Sequence, residues 1–140
     1  MAAPFTMTRR VLFYETDLAG VMHFSNYFRL MEEVEHAWWR SLGRSVHAVD
    51  GAEVMSWPRV SASCDFTAPV QFEDELELRL AVAALGEKSL TVEVAFFKHG
   101  QPVARGQMRS VCCHMQAGKF KAVPIPADLR RTLQTWQGPA

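Results

Sequence analysis

A single carboxylate, Asp17, stands where a strand-like run ends and an aromatic-rich segment begins, within the stretch YETDLAGVMHFSNYFRLMEE (Tyr14–Glu33). An aspartate at such a junction can bond to the backbone of its own turn, as Asx turns do. It can also act as a nucleophile or a general base, provided that hydrogen-bond donors face the group it attacks. A following helix would supply such donors, because its first N–H groups have no intrahelical partner. Both interpretations of Asp17 are open at this point.

Few other side chains have a type and spacing that suit catalysis. His23 is interpreted as a loop residue or a pocket wall rather than as a general base, and no Ser-His-Asp or Cys-His arrangement is recognisable. Glu32 and Glu33 are typical of the first half of a helix, where the helix dipole favours acids. Glu32 also falls next to Met31 on the predicted enclosed side, so a buried polar role for it stays open.

The three cysteines show no Cys-x-x-Cys or Cys/His spacing that would indicate a metal site. Cys64, Cys112 and Cys113 are therefore predicted to fill the core. Their odd number favours a reduced intracellular compartment.

Two elements must position Asp17: a strand before it and a helix after it. MTRRVLFYE (Met7–Glu15) is predicted as the strand, and TDLAG supplies the Asp and Gly of a turn. From Ser25 to about Leu42, apolar residues recur every three or four positions, which predicts a helix roughly 27 Å long. Ser25 would be its N-cap and Gly43 would end it. Because its apolar positions cover more than one stripe, we expect the helix to be enclosed on several sides.

The stretch from Val54 to Met115 is predicted to form four further strands, because apolar and polar residues alternate along it. In VMSWPRVSASCDF, the even positions form an apolar face, and the odd positions, which include Trp57 and Arg59, form the other. In PVARGQMRSVCCHM, the even positions are mostly small, which would let a helix approach the sheet closely. The odd face of that strand carries Arg105 and Arg109.

The order of these elements predicts an α+β protein in which a five-stranded antiparallel sheet curls around one long helix. A short helix from Ala127 to Trp136 is expected to follow. An open sheet has unpaired edges, which invite pairing with another chain. We therefore expect a homodimer.

Length and composition narrow the class of protein. The 140 residues fit a single domain, residues 1–140, and 49% hydrophobic with 21% charged residues is typical of a globular chain. The net charge of zero argues against a nucleic-acid partner or a general attraction to membranes. The N-terminal MAAPFTMTRR lacks the apolar centre of a signal peptide, and no apolar run is long enough to span a membrane. We expect a cytoplasmic protein.

The segment RVLFYETDLAGVMHFSNYFRLMEE resembles the signature of the 4-hydroxybenzoyl-CoA thioesterase family of hotdog-fold proteins. In that pattern an Arg/Gln-Val pair leads to Thr-Asp, then to Gly, a small apolar pair and an aromatic-Ser/Asn-Tyr segment that opens the central helix. CDFTAPVQFEDELEL also resembles the strand-turn-strand that follows the helix in the family. The matching residues of the first segment are Arg10, Val11, Thr16, Asp17, Gly20, Val21, Met22, Phe24, Ser25, Asn26 and Tyr27.

The resemblance implies a hotdog fold and hydrolysis of an acyl-CoA thioester, with Asp17 as the catalytic carboxylate. It implies that the backbone N–H of Phe24, or of a neighbour, faces the thioester carbonyl. Related hotdog enzymes use a helix glutamate instead, which makes Glu32 or Glu33 the reserve candidate. The resemblance also implies an active site at a dimer interface, with dimers that often pair into tetramers. Neither a metal nor an organic cofactor is expected beyond the coenzyme A of the substrate.

Several residues are candidates for binding the substrate. CoA carries phosphates, which call for cationic side chains, and Arg59, Arg105 and Arg109, with Lys88 behind them, are the candidates. A solvated sheet face is the alternative for these arginines. Trp57 and Phe24 could line the acyl or aryl end, although core packing explains them as well. The candidates around the predicted turn and helix start are Gly20, His23 and Tyr27.

Two other functions fit the same fold. A non-catalytic acyl-CoA binding module would retain ligands without turning them over. A hotdog-type hydratase or dehydratase would have a His near a Gly/Pro-rich loop, and HFSN at residues 23–26 lacks that context. Acyl-CoA thioester hydrolysis is the leading hypothesis.

Overall fold

The computed structural model describes residues 2–50 and 53–140. Its elements follow one another as β1 (Phe5–Arg10), α1 (Phe24–Ser41), β2 (His47–Asp50), β3 (Glu53–Ser56), β4 (Arg59–Phe66), β5 (Glu75–Leu85), β6 (Ser89–Lys98), β7 (Gln101–Val111), β8 (Cys113–Gln116), β9 (Lys119–Ala122) and α2 (Ala127–Gln134). Five strands form an antiparallel sheet in the order β1-β5-β6-β7-β4, and a smaller sheet has the order β2-β3-β8-β9. The predicted five-stranded sheet with one long helix is confirmed, whereas the smaller sheet is absent from the prediction.

The core lies between α1 and one face of the main sheet. Alternate residues of β5 and β6 supply most of it, including the fully buried Leu78 and Val94. The small-residue face of β7 includes Gly106, which lies against the side chain of Met31 on α1. A Cβ atom added to Gly106 would lie 2.5 Å from Cε of Met31 and 2.9 Å from the carbonyl oxygen of Ser63. A larger residue at position 106 would therefore force the Met31 side chain and the backbone at Ser63 to shift.

The first strand is shorter than predicted, and this prediction was wrong at its end. β1 stops at Arg10, and residues Phe13–Glu15 form a turn of 3₁₀-helix. The turn is stabilised by Glu15, whose carboxylate accepts the N–H of Leu12 at 2.8 Å. This local bond competes with continuation of the strand, and alternation alone does not reveal it.

The long strand predicted from Val54 to Phe66 is two strands, β3 and β4, separated by Trp57 and Pro58. Proline has no N–H to donate to a ladder, so the pairing is interrupted there. The register with β7 also shifts between Arg59 and Ser61, which places a bulge at Val60. The bulge reverses the alternation, so Arg59 lies on the helix side of the sheet and not on the face of Arg105 and Arg109. The predicted face of Arg59 was wrong.

The helix begins one residue earlier than predicted, at Phe24, and His23 rather than Ser25 is its N-cap. Its predicted end is confirmed. Gly43 has φ +70°, its N–H bonds to the carbonyl of Arg40, and the N–H of Arg44 bonds to the carbonyl of Trp39. This is the Schellman arrangement of a helix C-terminus.

The expectation that α1 is enclosed on several sides was wrong for the chain as described. Its buried residues form one broad stripe that includes Leu30, Val34 and Trp38, while Glu32 and Glu33 are exposed. α2 confirms the predicted C-terminal helix and buries Leu129 and Leu133. Within the described residues, no helix combines the length and the apolar character needed to cross a membrane.

Candidate active site

Asp17 lies in a narrow loop between the 3₁₀ turn and α1. Thr16 and Met22 form an isolated antiparallel bridge, and the N–H of Asp17 donates to the carbonyl of Val21 at 3.0 Å. The loop reverses through Gly20, whose φ of +79° favours glycine, and the Gly20 N–H bonds to the carbonyl of Asp17 at 2.9 Å. The side chain of Asp17 is exposed, with one oxygen accepting the N–H of Ala19 at 2.9 Å. The Asx-turn interpretation is therefore confirmed, and within the described part of the chain the other carboxylate oxygen accepts no hydrogen bond.

The backbone N–H groups at the start of α1 include that of Phe24, which is exposed to the loop of Asp17. The N–H of Ser25 bonds to Nδ1 of His23 at 3.3 Å, and the N–H of Asn26 bonds to the carbonyl of His23 at 2.9 Å. The N–H of His23 itself donates to the carbonyl of Glu15 at 2.9 Å. Within residues 2–50 and 53–140, the N–H of Phe24 donates no hydrogen bond. An unpaired donor at the positive end of a helix favours a negatively charged oxygen.

Asp17 and Phe24 line the same cavity, which has a volume of about 470 Å³. Its inner wall is aromatic, since the ring of Tyr27 packs against Phe66 at 4.7 Å and against Phe96 at 5.5 Å between centroids. Burial raises the pKa of the Tyr27 hydroxyl, which keeps that group neutral. The remaining lining residues are Val21, Met22, Thr67, Ala68 and Pro69. The cavity thus combines one carboxylate, one free N–H and an apolar wall.

The loop that carries Asp17 is anchored from behind by Glu15, which is 3% exposed. Two nitrogens of Arg9 donate to the two carboxylate oxygens of Glu15 at 2.9 and 2.7 Å. Burial alone would raise the pKa of this carboxyl, but the Arg9 bonds and the Leu12 N–H outweigh burial and lower it. Glu15 is therefore held as an anion two residues before Asp17.

The predicted residues divide between this cavity and other places. Tyr27 and Phe24 line the cavity with Asp17, and Gly20 shapes its loop. His23 caps the helix, and its ring packs on Phe24 at 4.6 Å between centroids. The structure thus brings together the predicted residues that lie between positions 17 and 27.

Glu32, the reserve catalytic residue, does not line the Asp17 cavity. It faces a separate groove between α1 and β4, where its carboxylate lies 3.4 Å from Arg59. Arg59 also bonds to Glu35, which is 4% exposed. The buried helix acid is therefore Glu35 and not Glu32.

Trp57 and the remaining arginines lie away from Asp17. Trp57 stacks on Trp39 at 5.4 Å and lines a different cavity beside Gly43, at the C-terminal end of α1. Arg105 and Arg109 lie on the exposed face of β7, as predicted, and Arg105 is paired with Glu93. Arg109 forms no ion pair with the described residues.

Sequence reasoning missed the far wall of the cavity. Phe66 is the last residue of β4, and Thr67 and Pro69 follow it in the segment before β5. The sequence indicated Phe66 only as part of an apolar strand face and APVQFED only as a turn. An aromatic residue at the end of a strand, beside a turn, is a signal that could have found this wall, and Phe66 is indeed 47% exposed. The buried Glu35 was not recognised from the sequence, because its partner Arg59 was predicted on the opposite face of the sheet.

This arrangement can support acyl transfer. The free oxygen of Asp17 can attack a carbonyl or orient a water molecule, and the Phe24 N–H can stabilise the oxygen that becomes negative. Both groups lie at the mouth of an apolar cavity, where displaced water strengthens their electrostatic effect. These features define a hydrolase of the thioester type on a hotdog fold.

Comparison with known proteins agrees with this class. A family model described as the thioesterase-like superfamily matches residues 11–133. A 1,4-dihydroxy-2-naphthoyl-CoA hydrolase of Synechococcus elongatus is 30% identical, over 94% of this chain and 96% of that protein. A gentisyl-coenzyme A thioesterase structure is 31% identical, with a TM-score of 0.78 over 90% of this chain and 99% of the other. A 1,4-dihydroxy-2-naphthoyl-CoA thioesterase from Synechocystis, at 24% identity, a TM-score of 0.80 and 96% and 98% coverage, shows the fold alone.

The chain belongs to the thioesterase-like superfamily, since the family match covers most of it. It is a hotdog-fold enzyme of the thioester hydrolase class. The family predicted from the motif between Arg10 and Tyr27 is confirmed.

Proposed function

We propose that this enzyme hydrolyses an aroyl- or acyl-CoA thioester to the free acid and CoA, with Asp17 as the catalytic carboxylate. The observation that carries the proposal is the shared cavity of Asp17 and Phe24, which pairs a carboxylate that has a free oxygen with an unpaired backbone N–H. A thioester carbonyl needs these two groups, a nucleophile or base and an oxyanion donor.

Two routes use the same geometry. In the first, a carboxylate oxygen of Asp17 bonds to the carbonyl carbon, the C–S bond breaks, CoA leaves as the thiol after protonation, and water hydrolyses the mixed anhydride. In the second, Asp17 takes a proton from water, the hydroxide bonds to the carbonyl carbon, and the proton passes to the leaving sulfur. In both, the Phe24 N–H stabilises the tetrahedral oxyanion. Each route uses only groups of the protein and water.

An aromatic acyl group is the proposed substrate class. The rings of Tyr27, Phe66 and Phe24 line the cavity, and aromatic rings pack favourably on one another. Its volume of about 470 Å³ suits an acyl group of one or two rings. The relatives named for dihydroxynaphthoyl-CoA and gentisyl-CoA act on aromatic thioesters, which supports the same class for this chain.

The CoA phosphates are proposed to lie on the exposed face of the sheet. Arg109 forms no ion pair with the described residues, so it is the strongest candidate there. Lys88 lies exposed in the turn between β5 and β6. Arg105 already forms an ion pair with Glu93. Arg59 is no longer a candidate for binding the phosphates, because it pairs with Glu35 across the groove.

A second copy of the chain is the proposed partner, as a dimer or a pair of dimers. β4 is an edge of the main sheet, and its flank exposes Val60 at 54%, Phe66 at 47% and the neighbouring Phe24 at 59%. Two β4 strands related by a two-fold axis would pair these edges and cover these side chains. Light scattering should give at least twice the chain mass, and Ala62→Arg, on β4, should shift it toward the monomer. A wild-type monomer at micromolar concentration contradicts the proposed dimer.

A cytoplasmic location is also proposed. The three free thiols, Cys64, Cys112 and Cys113, are consistent with a reducing compartment.

The hydrolase proposal is tested with a panel of thioesters. Wild-type protein is incubated with benzoyl-, hydroxybenzoyl-, dihydroxynaphthoyl-, acetyl- and hexanoyl-CoA, and free thiol is followed with a colorimetric reagent against an enzyme blank. We expect thiol release, with kcat/KM at least about tenfold higher for aroyl-CoA than for acetyl-CoA, a difference of about 1.4 kcal/mol. Tight retention of an aroyl-CoA without thiol release would instead establish a binding module. Equal rates on all substrates would contradict the aromatic class.

A further inference from the structure

We propose that Asn26 is a positioning residue that sets the distance between the Asp17 carboxylate and the Phe24 N–H. The inference rests on the proposed function, because it assigns Asn26 a part in that reaction. Asn26 itself does not line the cavity that Asp17 and Phe24 share. Its effect would therefore pass through the backbone of the Asp17 loop.

The carbonyl of Glu15 is the point where the loop is tied to the helix. It accepts Nδ2 of Asn26 at 2.8 Å and the N–H of His23 at 2.9 Å. Asn26 is 6% exposed, and a buried amide without a partner is costly, so its bond to this carbonyl is strongly favoured. Asn26 stands in the first turn of α1, two residues after Phe24, and Glu15 stands two residues before Asp17. The Asn26–Glu15 hydrogen bond, called the tie below, thus connects the loop that carries Asp17 to the start of the helix that carries Phe24.

The other side of Glu15 is fixed independently. Its carboxylate receives the paired bonds of Arg9, and the same guanidinium bonds to Glu33 of α1 at 3.1 and 3.2 Å. The side chain of Glu15 therefore anchors the loop to β1, while its carbonyl anchors the loop to the helix start. With both anchors in place, little freedom remains for Thr16 and Asp17.

The loop beyond this tie has few other constraints. Leu18, Ala19 and Gly20 are exposed. The Asp17 N–H bonds to the Val21 carbonyl within the loop, and the Met22 N–H joins the end of the loop to the carbonyl of Val70. Loss of the Asn26 bond would leave the His23 bond in place, so the carbonyl of Glu15 would not be orphaned. We therefore expect a small shift of the loop rather than unfolding.

A small shift is sufficient to slow the reaction. A displacement of about 1 Å by a residue away from the chemistry can cost roughly 100-fold in rate. The cavity wall that binds the acyl group is formed by other residues, so substrate binding should persist. A loss confined to kcat, with KM unchanged, is the expected signature.

The test compares Asn26→Leu, which keeps the approximate shape and removes the donor, with a matched control. Ser41→Ala removes a comparable side-chain bond at the other end of the same helix, from Ser41 Oγ to the carbonyl of Trp38 at 2.6 Å. Both variants are measured for kcat, KM and the midpoint of urea unfolding on the best substrate of the panel. Asn26→Leu is then combined with Asp17→Asn.

We expect Asn26→Leu to lower kcat by about 10- to 100-fold with KM within about twofold, and Ser41→Ala to leave both unchanged. The double variant should be no slower than Asp17→Asn alone, because residues that act as a unit are non-additive. Wild-type kcat in folded Asn26→Leu, or an independent further loss in the double variant, would overturn the inference. If Asn26→Leu does not fold, Asn26→Ala, which also removes the donor but adds no apolar bulk, is measured in the same way, and unchanged kcat there overturns it too. Failure of the proposed function is distinguishable, since the wild type would then cleave no thioester at all.

Discussion

The N-terminal end of α1 leaves a backbone N–H free beside an open cavity, whereas its C-terminal end bonds its carbonyls and buries its indole rings. At the first end, Phe24 is 59% exposed and Asp17 faces solvent. At the second, Trp38 and Trp39 are 0% and 2% exposed, and the Schellman bonds of Gly43 and Arg44 close the helix. The N-terminal end of α1, with the free Phe24 N–H, is called the unfinished end below, and the C-terminal end, with the bonded carbonyls of Trp39 and Arg40, is called the finished end.

The difference between the two ends indicates that the residues that stabilise the fold and the residues available to a substrate lie at opposite ends of α1. Buried aromatic area stabilises the fold at the C-terminal end. At the N-terminal end, the unpaired donor and the exposed carboxylate contribute little to folding and are available to a substrate. Substitutions at the finished end should therefore change stability with little change in rate per folded molecule, and substitutions at the unfinished end should do the reverse.

Trp39→Ala should have the largest effect on stability. Trp39 is 2% exposed and stacks on Trp38 at 5.1 Å and on Trp57 at 5.4 Å. Its removal leaves a cavity and should lower the free energy of unfolding by about 3–5 kcal/mol, measured by urea denaturation. Phe24→Ala, at the other end, is the matched control and should cost less than about 1 kcal/mol. Equal losses in the two variants would contradict the comparison of the two ends.

Glu15 is an exception to this separation, because it is a buried, stabilising group close to Asp17. Its pKa is lowered in the folded protein, so its contribution is present above the ordinary value of 4.5 and is lost as the pH falls through the lower folded value. Glu15→Gln should lower stability at pH 7 by about 1.5–3 kcal/mol and flatten the loss of stability below pH 4.5. Urea midpoints measured across this range check the prediction. If the urea midpoint of Glu15→Gln fell below pH 4.5 as steeply as that of the wild type, the prediction would be contradicted.

Gly106→Ala probes the middle of α1, between the two ends. The new methyl group would lie 2.5 Å from Met31 Cε, which can move, and 2.9 Å from the backbone oxygen of Ser63, which cannot move easily. Overpacking of this kind should cost about 1–3 kcal/mol in thermal or urea unfolding. Gly118→Ala, at a positive φ with open space around it, shows for comparison the cost of backbone strain without a clash. A loss near zero in Gly106→Ala would mean that Met31 and the backbone at Ser63 can move away from the added methyl group.

Gly43→Ala should have the smallest effect. The residue has a φ of +70° and nothing within 4 Å of an added Cβ, so the cost is backbone strain without a clash. We expect a loss of about 1 kcal/mol in unfolding free energy and no change in kcat. A change in kcat larger than about twofold would show that the finished end is coupled to the site.

The sequence located most residues of the unfinished end of α1, because they lie close together along the chain, although it placed the N-cap at Ser25 rather than at His23. Turn chemistry indicated Asp17 and Gly20, and the family resemblance indicated the Phe24 N–H. The alternation of β5, β6 and β7 was also sufficient for the main sheet and for the small face at Gly106.

The features that were not predicted from the sequence depend on contacts between residues that are far apart along the chain. The bulge at Val60 reverses the side of Arg59, and neither the bulge nor the Glu35 partner is visible in local alternation. The far wall of the cavity comes from Phe66 and Pro69, some 50 residues beyond Asp17. The 3₁₀ turn at Phe13–Glu15 depends on the carboxylate of Glu15 and the guanidinium of Arg9, which a strand pattern conceals.

The central claim is that the free oxygen of Asp17 performs the chemistry at the unfinished end of α1, and the rate of Asp17→Asn tests it most directly. With the best aroyl-CoA of the panel, the account predicts that kcat falls by about 10²- to 10⁴-fold while the unfolding midpoint stays within error. Asp128→Asn, an exposed aspartate at the start of α2, is the matched control and should retain wild-type kcat. Full activity in Asp17→Asn would contradict the account.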